Sequence, residues 1–225
     1  PAVPMALPAA ADDNGGQFTT QHVVDTHVRG KALLMVYTND PISVESSIQT
    51  MEQFLAEDKY QVVGIDLEYT MGHARHDQKV VVTQLCVRHD VLVYHYHLAT
   101  MPCERFSRFI NSSDYCFAAV DTTNNLKALK VSGLKCPNLV NIQCHYKVWG
   151  SDNNKLNSLV VLASAIIDPY YMKMKNERNK DKNAWHSVWH ERLDEQHVKY
   201  AAMDVYTSHE MYRRIVDMRN CLLPD

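Results

Sequence analysis

Apolar positions along the chain switch between two periods, and the switches mark out its elements. His22 to Val28 and Lys31 to Tyr37 are β-rich runs on either side of Arg29-Gly30, where glycine supplies the positive φ of a hairpin turn. Ile48, Met51, Phe54 and Leu55 then recur at helical spacing, with Ser43 as the expected N-cap. Val62 to Tyr69 reads as a strand, and Val80 to Arg88 with Val91 to His97 as a second hairpin turning at His89-Asp90. Cys103 to Ile110 predicts a helix, Phe117 to Val120 a short buried strand, and Leu126 to Leu129 the start of a helix that Gly133 ends. After Pro137 the pattern is mainly helical, over Leu156 to Ile167, Trp185 to Arg192 and a long final helix. Asp194 suits the N-cap of that last helix, and Glu195 places negative charge in its first turn. Its apolar stripe runs through Val198, Ala201, Ala202, Val205, Tyr212 and Ile215. Strands come first, then a β-α-β-α middle, then helices, with no internal repeat. The order predicts one α/β domain.

Composition adds boundaries to this picture. Residues 1–20, rich in Ala, Pro, Gly and Asp, show no apolar period and predict a disordered segment before a domain over 21–225. Met5 is a candidate natural start. With 46% hydrophobic and 22% charged residues the chain has ordinary globular composition. The longest apolar runs, such as Leu159 to Ile167, are too short to span a bilayer, and no secretory signal opens the sequence. The 6 cysteines lack C-x-x-C spacing and read as reduced thiols of an intracellular protein, in nucleus or cytoplasm. A net charge of -3 advertises no polyanion partner. Lys173, Lys175, Arg178, Lys180 and Lys182 concentrate positive charge locally, either as a solvated face or as a phosphate-contacting edge.

The chemistry concentrates in two segments. In Val63-Gly64-Ile65-Asp66-Leu67-Glu68-Tyr69 an apolar strand carries two acids, although burying an unpaired carboxylate is costly. Separated by two, Asp66 and Glu68 project from the same face and repel each other. A divalent cation resolves that conflict by taking both as hard oxygen ligands. Alone, the pair is equally well explained as the outward polar face of a half-buried strand. In Tyr200-Ala201-Ala202-Met203-Asp204 a phenol and a carboxylate four residues apart share a helix face, a potential ligand beside a group that can orient water. Alone, a surface Asp beside a packed Tyr explains this second segment better.

In this order and spacing the two segments resemble the DEDDy subgroup of 3'→5' exonucleases, which includes RNase D and the exonuclease domain of the Werner-syndrome helicase. The resemblance covers roughly Lys31 to Arg214. Asp66-Leu67-Glu68 is similar to the family's first motif, and Tyr200-Ala201-Ala202-Met203-Asp204-Val205-Tyr206 to its third. Val80 to Val87, with its Gln84-Leu85-Cys86 core, resembles the strand that follows the first motif, and Leu156-Asn157-Ser158-Leu159 a helix start of Werner-like members. Among these the chain looks nearest to the small single-domain plant forms. The resemblance implies an RNase H-like α/β fold, a mixed central sheet flanked by helices, and hydrolysis of a terminal phosphodiester of DNA or RNA at a free 3' end. Two Mg²⁺ or Mn²⁺ ions about 3.5–4 Å apart would assist, releasing nucleoside 5'-monophosphates. It further implies that Asp66 bridges both ions, that Glu68 and Asp204 hold the one activating water, and that Tyr200 orients that water.

The family's second motif, an Asp four residues before a Leu, is not matched. Alignment on Phe117 to Val120 and on Leu129 puts Asn125 in that place, keeping an oxygen acceptor and losing a charge. In the other register Asp121 serves instead. Asn125 at this position implies weakened binding of the second ion and reduced activity. The rival function is a catalytically degenerate relative that binds nucleic acid or a protein partner. Elsewhere, His186 and His190 lie at helical spacing but lack H-E-x-x-H and a third ligand, so they read as ordinary histidines. His95 and His97 would share a strand face, and Trp185 and Trp189 would pack a helix rather than stack bases.

Overall fold

The computed structural model describes residues 16–26, 30–70, 78–150, 156–173 and 188–222. Strands β1 (Thr19–Asp25) and β2 (Ala32–Thr38) form the expected antiparallel hairpin, closed at Gly30 with φ 65°. Helix α1 (Pro41–Glu57) follows at once. Its N-cap is Asp40, not Ser43: the Asp40 carboxylate accepts from the backbone N–H groups of Ile42 at 3.2 Å and Ser43 at 3.1 Å. Pro41, with its φ preset and no N–H to satisfy, takes the first helical position and moves the start forward.

Strand β3 (Val62–Tyr69) pairs antiparallel with β4 (Val80–Val87), which pairs antiparallel with β5 (Asp90–Tyr94). The β4–β5 turn sits at Arg88-His89, one residue before the expected place, because Arg88 takes a left-handed φ of 57° and Asp90 already pairs with Val87. Strand β5 stops at Tyr94, where its parallel partner β2 ends at Thr38, and Tyr96–Leu98 curl into a 3-10 turn. The expected strand face shared by His95 and His97 is therefore not formed. His95 instead is fully buried, with its Nδ1 2.9 Å from the Tyr37 hydroxyl.

Helix α2 (Glu104–Ile110) and strand β6 (Cys116–Ala119) lead to helix α3 (Thr122–Val131), which starts a turn earlier than the apolar pattern suggested. A three-residue strand, β7 (Leu139–Asn141), pairs parallel with β6 and was not foreseen. Helix α4 (Leu159–Ile166) and the 28-residue α5 (Glu195–Leu222) complete the described elements. Asp194 caps α5 as expected, accepting from the His197 N–H at 2.9 Å. The described part of the expected Trp185 to Arg192 helix is a turn, closed by Glu191 N–H to the Val188 carbonyl at 3.0 Å. Trp189 is buried there, while Trp185, His186 and most of the 173–182 basic stretch lie outside the described residues.

The seven strands among the described residues run in the order β1-β2-β5-β4-β3-β6-β7. Period-2 alternation divides the sheet's side chains between two cores. Val62, Val82, Cys86 and Val93 point toward α4 and α5, whereas Val63, Ile65, Leu85 and Phe117 point toward α1, α2 and α3. Every position of β4 is buried, as befits a central strand covered on both faces. No described helix is long and apolar enough to cross a membrane.

Candidate active site

Asp66 and Glu68 occupy the C-terminal half of β3, on the parity of Val62 and Gly64 and so on the face that α5 covers. Helix α5 crosses this strand over Gly64, where an added Cβ would collide with the helix backbone. The crossing brings Asp204, one residue before Val205 on α5, to the two β3 carboxylates. Asp204 is 6% exposed; Asp66 and Glu68 are partly buried. The Asp66 Oδ1 accepts from the N–H of Leu67 at 2.9 Å.

The electrostatics report this convergence. Burial first, then the charges of Asp66 and Asp204, hold the Glu68 carboxyl well above the usual carboxylate range. The Tyr69 phenol is also pushed up, by burial and by Asp66, Glu68 and Asp121. Among the described residues no three His, Cys, Asp or Glu side chains are gathered into a ready metal cage. The donor set nevertheless fits a hard divalent cation. It is all oxygen, comes from two rigid elements, and carries a repulsion that a cation would remove.

One turn before Asp204, Tyr200 lies partly buried against the same core, its ring 6.1 Å from that of Trp189. Trp189 also meets His197 edge-on at 5.5 Å. It thus packs against the base of α5.

Strand β6 runs parallel to β3 with Ala118 beside Gly64, so the chain leaves β6 and enters α3 alongside Asp66. Asn125 lies in the first turn of α3, 3% exposed, with its Nδ2 lacking a partner among the described residues. Asp121 stands at the helix N-cap in left-handed conformation, φ 56°, and is exposed. Its Oδ2 accepts from Asn124 Nδ2 at 3.3 Å, and its own N–H donates to Gln143 Oε1 at 3.2 Å. Sequence reasoning gave no role to Gln84, the cross-strand partner of Asp66 on β4. A polar amide inside an otherwise mostly apolar run was the available signal.

A mixed sheet with helices on both faces, and carboxylates brought together where a β-strand meets the C-terminal helix, make this an α/β domain. The sequence profile of the 3'-5' exonuclease family matches residues 41–219, and the chain belongs to that family. The fold is RNase H-like, in agreement with solved structures of low sequence identity. The EXO domain of Nibbler from Aedes aegypti is 13% identical with a TM-score of 0.58, the match covering 84% of this chain and 90% of that one. RNase D of Escherichia coli, an exoribonuclease involved in structured RNA processing, is 14% identical with a TM-score of 0.57, over 79% of this chain and 44% of that one. NrnC of Brucella melitensis, solved bound to pGG, is 15% identical with a TM-score of 0.54, over 72% and 76% of the two chains. No curated protein matches the chain in sequence.

Proposed function

We propose that this protein is a metal-dependent 3'→5' exonuclease that removes nucleoside 5'-monophosphates from the free 3' end of DNA or RNA. The observation that carries the reading is the convergence of Asp66 and Glu68 on β3 with Asp204 on α5, where burial and then the charges of Asp66 and Asp204 hold the Glu68 carboxyl above its usual range. These carboxylates would hold two Mg²⁺ or Mn²⁺ ions. Bound there, the ions supply Lewis-acid stabilisation of charge on the terminal phosphate.

Tyr200 holds the attacking water through its hydroxyl, on the helix face it shares with Asp204. Water adds to the terminal phosphorus and the bond to the 3' oxygen of the preceding nucleotide breaks. That oxygen leaves as a hydroxyl, and the released nucleotide keeps the phosphate. Tyr200, four residues before Asp204, supports a place in the tyrosine-containing DEDDy subgroup, and the likeness to small Werner-type exonucleases belongs to the same reading. An intracellular setting, in nucleus or cytoplasm, suits such a substrate.

Asn125, in the place of the second-motif acid, makes the site one charge less negative and weakens its hold on the second ion. Its buried, unpartnered Nδ2 favours a second reading, a degenerate exonuclease fold that retains nucleic acid without cutting it. Titration with Mn²⁺ in the presence of an oligonucleotide separates the two. Release of nucleoside 5'-monophosphates that rises with Mn²⁺ is expected. Bound but intact oligonucleotide at saturating Mn²⁺ would leave the binder.

A further inference from the structure

We infer that Gln84 is a positioning residue for the Asp66 carboxylate, an inference that rests on the nuclease reading above. Gln84 sits in the middle of β4, fully buried, and is the register partner of Asp66 on β3. Residues opposite one another in an antiparallel pair put their side chains on the same face, with Cβ atoms about 4.5–5.5 Å apart. Glu68 is the diagonal neighbour, because it pairs with Val82 two residues back along β4. The other surroundings that the ladder fixes are apolar: Val93 opposite on β5, and Val82 and Cys86 on the same face of β4.

Neither Nε2 nor Oε1 of Gln84 has a hydrogen-bond partner among the described residues. A fully buried amide with both ends unmet is costly, and an apolar side chain would fill the same space without that cost. A residue kept against stability points to a group it meets in the working state. The carboxylate opposite is the polar group the ladder brings to it. An amide N–H can donate to a carboxylate oxygen and fix its rotamer while adding no charge to a site already crowded with acids. With one Asp66 oxygen turned toward a cation, Gln84 Nε2 donates to the other, as groups behind metal ligands commonly do.

Gln84→Met keeps the length and removes the amide. The metal-free variant should melt at or above the wild-type temperature, because a buried unmet polar group is gone. Its Mn²⁺ affinity, measured by calorimetry, should fall about 10- to 100-fold, with kcat falling alongside it and KM for the oligonucleotide little changed. Gln84→Asn, which withdraws the amide by one methylene, should weaken Mn²⁺ in the same way. Mn²⁺ affinity within twofold of wild type in either folded variant overturns the inference, as does a large fall in melting temperature with unaltered affinity. Wild-type protein that binds no Mn²⁺ brings down the nuclease reading itself. Wild-type binding that Gln84→Met leaves unchanged brings down this inference alone.

Discussion

Gly64 and Val205 meet backbone to backbone: a Cβ on Gly64 would stand 2.5 Å from the Val205 carbonyl oxygen and 2.8 Å from the Cβ of His209. Real side chains do not approach a carbonyl oxygen so closely, so this strand position fixes how near α5 lies to β3. Asp66 is two residues beyond Gly64 and Asp204 is one residue before Val205. The glycine thus sets the separation of the acids. Gly64→Ala should cost about 1–3 kcal/mol in urea unfolding, as overpacked positions do. It should also raise the Mn²⁺ concentration needed for half-maximal nuclease activity. A variant as stable and as Mn²⁺-sensitive as wild type would show that the crossing is looser than this contact implies.

His209 ties the same helix to the β4–β5 turn, its Nε2 accepting from the Arg88 N–H at 3.0 Å. Burial is the main cause that lowers its pKa from 6.5 to about 4; Arg213 and His89 lower it further, while Glu210 and Asp58 act against them. The folded state resists protonation, so the unfolded chain binds more protons between pH 4 and 6.5. Stability from this group is complete above pH 6.5 and is lost as pH falls toward 4, on the order of 3 kcal/mol in all. Glu210, lowered to about 2 despite its burial by hydrogen bonds from Arg213 and Arg214, acts in a separate and more acid window. His209→Gln, which can still accept from Arg88, should flatten the pH 4–6.5 limb of denaturant-measured stability. A limb of unchanged slope in that variant would assign it to other groups.

Asn125→Asp should raise Mn²⁺-dependent digestion of a 3'-labelled oligonucleotide about 10-fold or more. The same change puts an uncompensated carboxylate at a position only 3% exposed, so the metal-free variant should melt lower. Higher activity with lower metal-free stability is the signature of a restored ligand. No gain over a wild type already fully active would point to Asp121 or remove the role from this helix.

Tyr200→Phe removes one hydroxyl from a side chain packed beside Trp189 and leaves the packing ring in place. A fall in kcat of about 10²-fold, with Mn²⁺ affinity retained, is expected of a group that orients water. An equal loss of Mn²⁺ affinity would mean that Tyr200 shapes the acidic cluster instead.

Much of this was legible from the sequence, and the failures have physical causes. Strand β3 begins and ends where its apolar run does. The hairpin at Gly30 and the Asp194 cap were visible for similar local reasons. Strand β7 was not, since three half-buried residues hold no period and form a strand only because β6 lies beside them. His95 was misplaced because β5 stops at Tyr94, where its partner β2 ends. Asp66, Glu68, Tyr200 and Asp204 could be singled out by spacing. Their meeting depends on the Gly64 crossing, and Gln84 on a strand register, neither of which a single sequence displays.

The most direct test of the site is a pair of digestions. Matched 5'-labelled DNA and RNA strands are incubated with wild-type protein and with Asp66→Ala, each with Mn²⁺ and with chelator. Stepwise shortening from the 3' end by the wild type with Mn²⁺ is expected on at least one of the strands, and none by Asp66→Ala or in chelator. Shortening that survives Asp66→Ala, or two strands left intact by the wild type at saturating Mn²⁺, would contradict it.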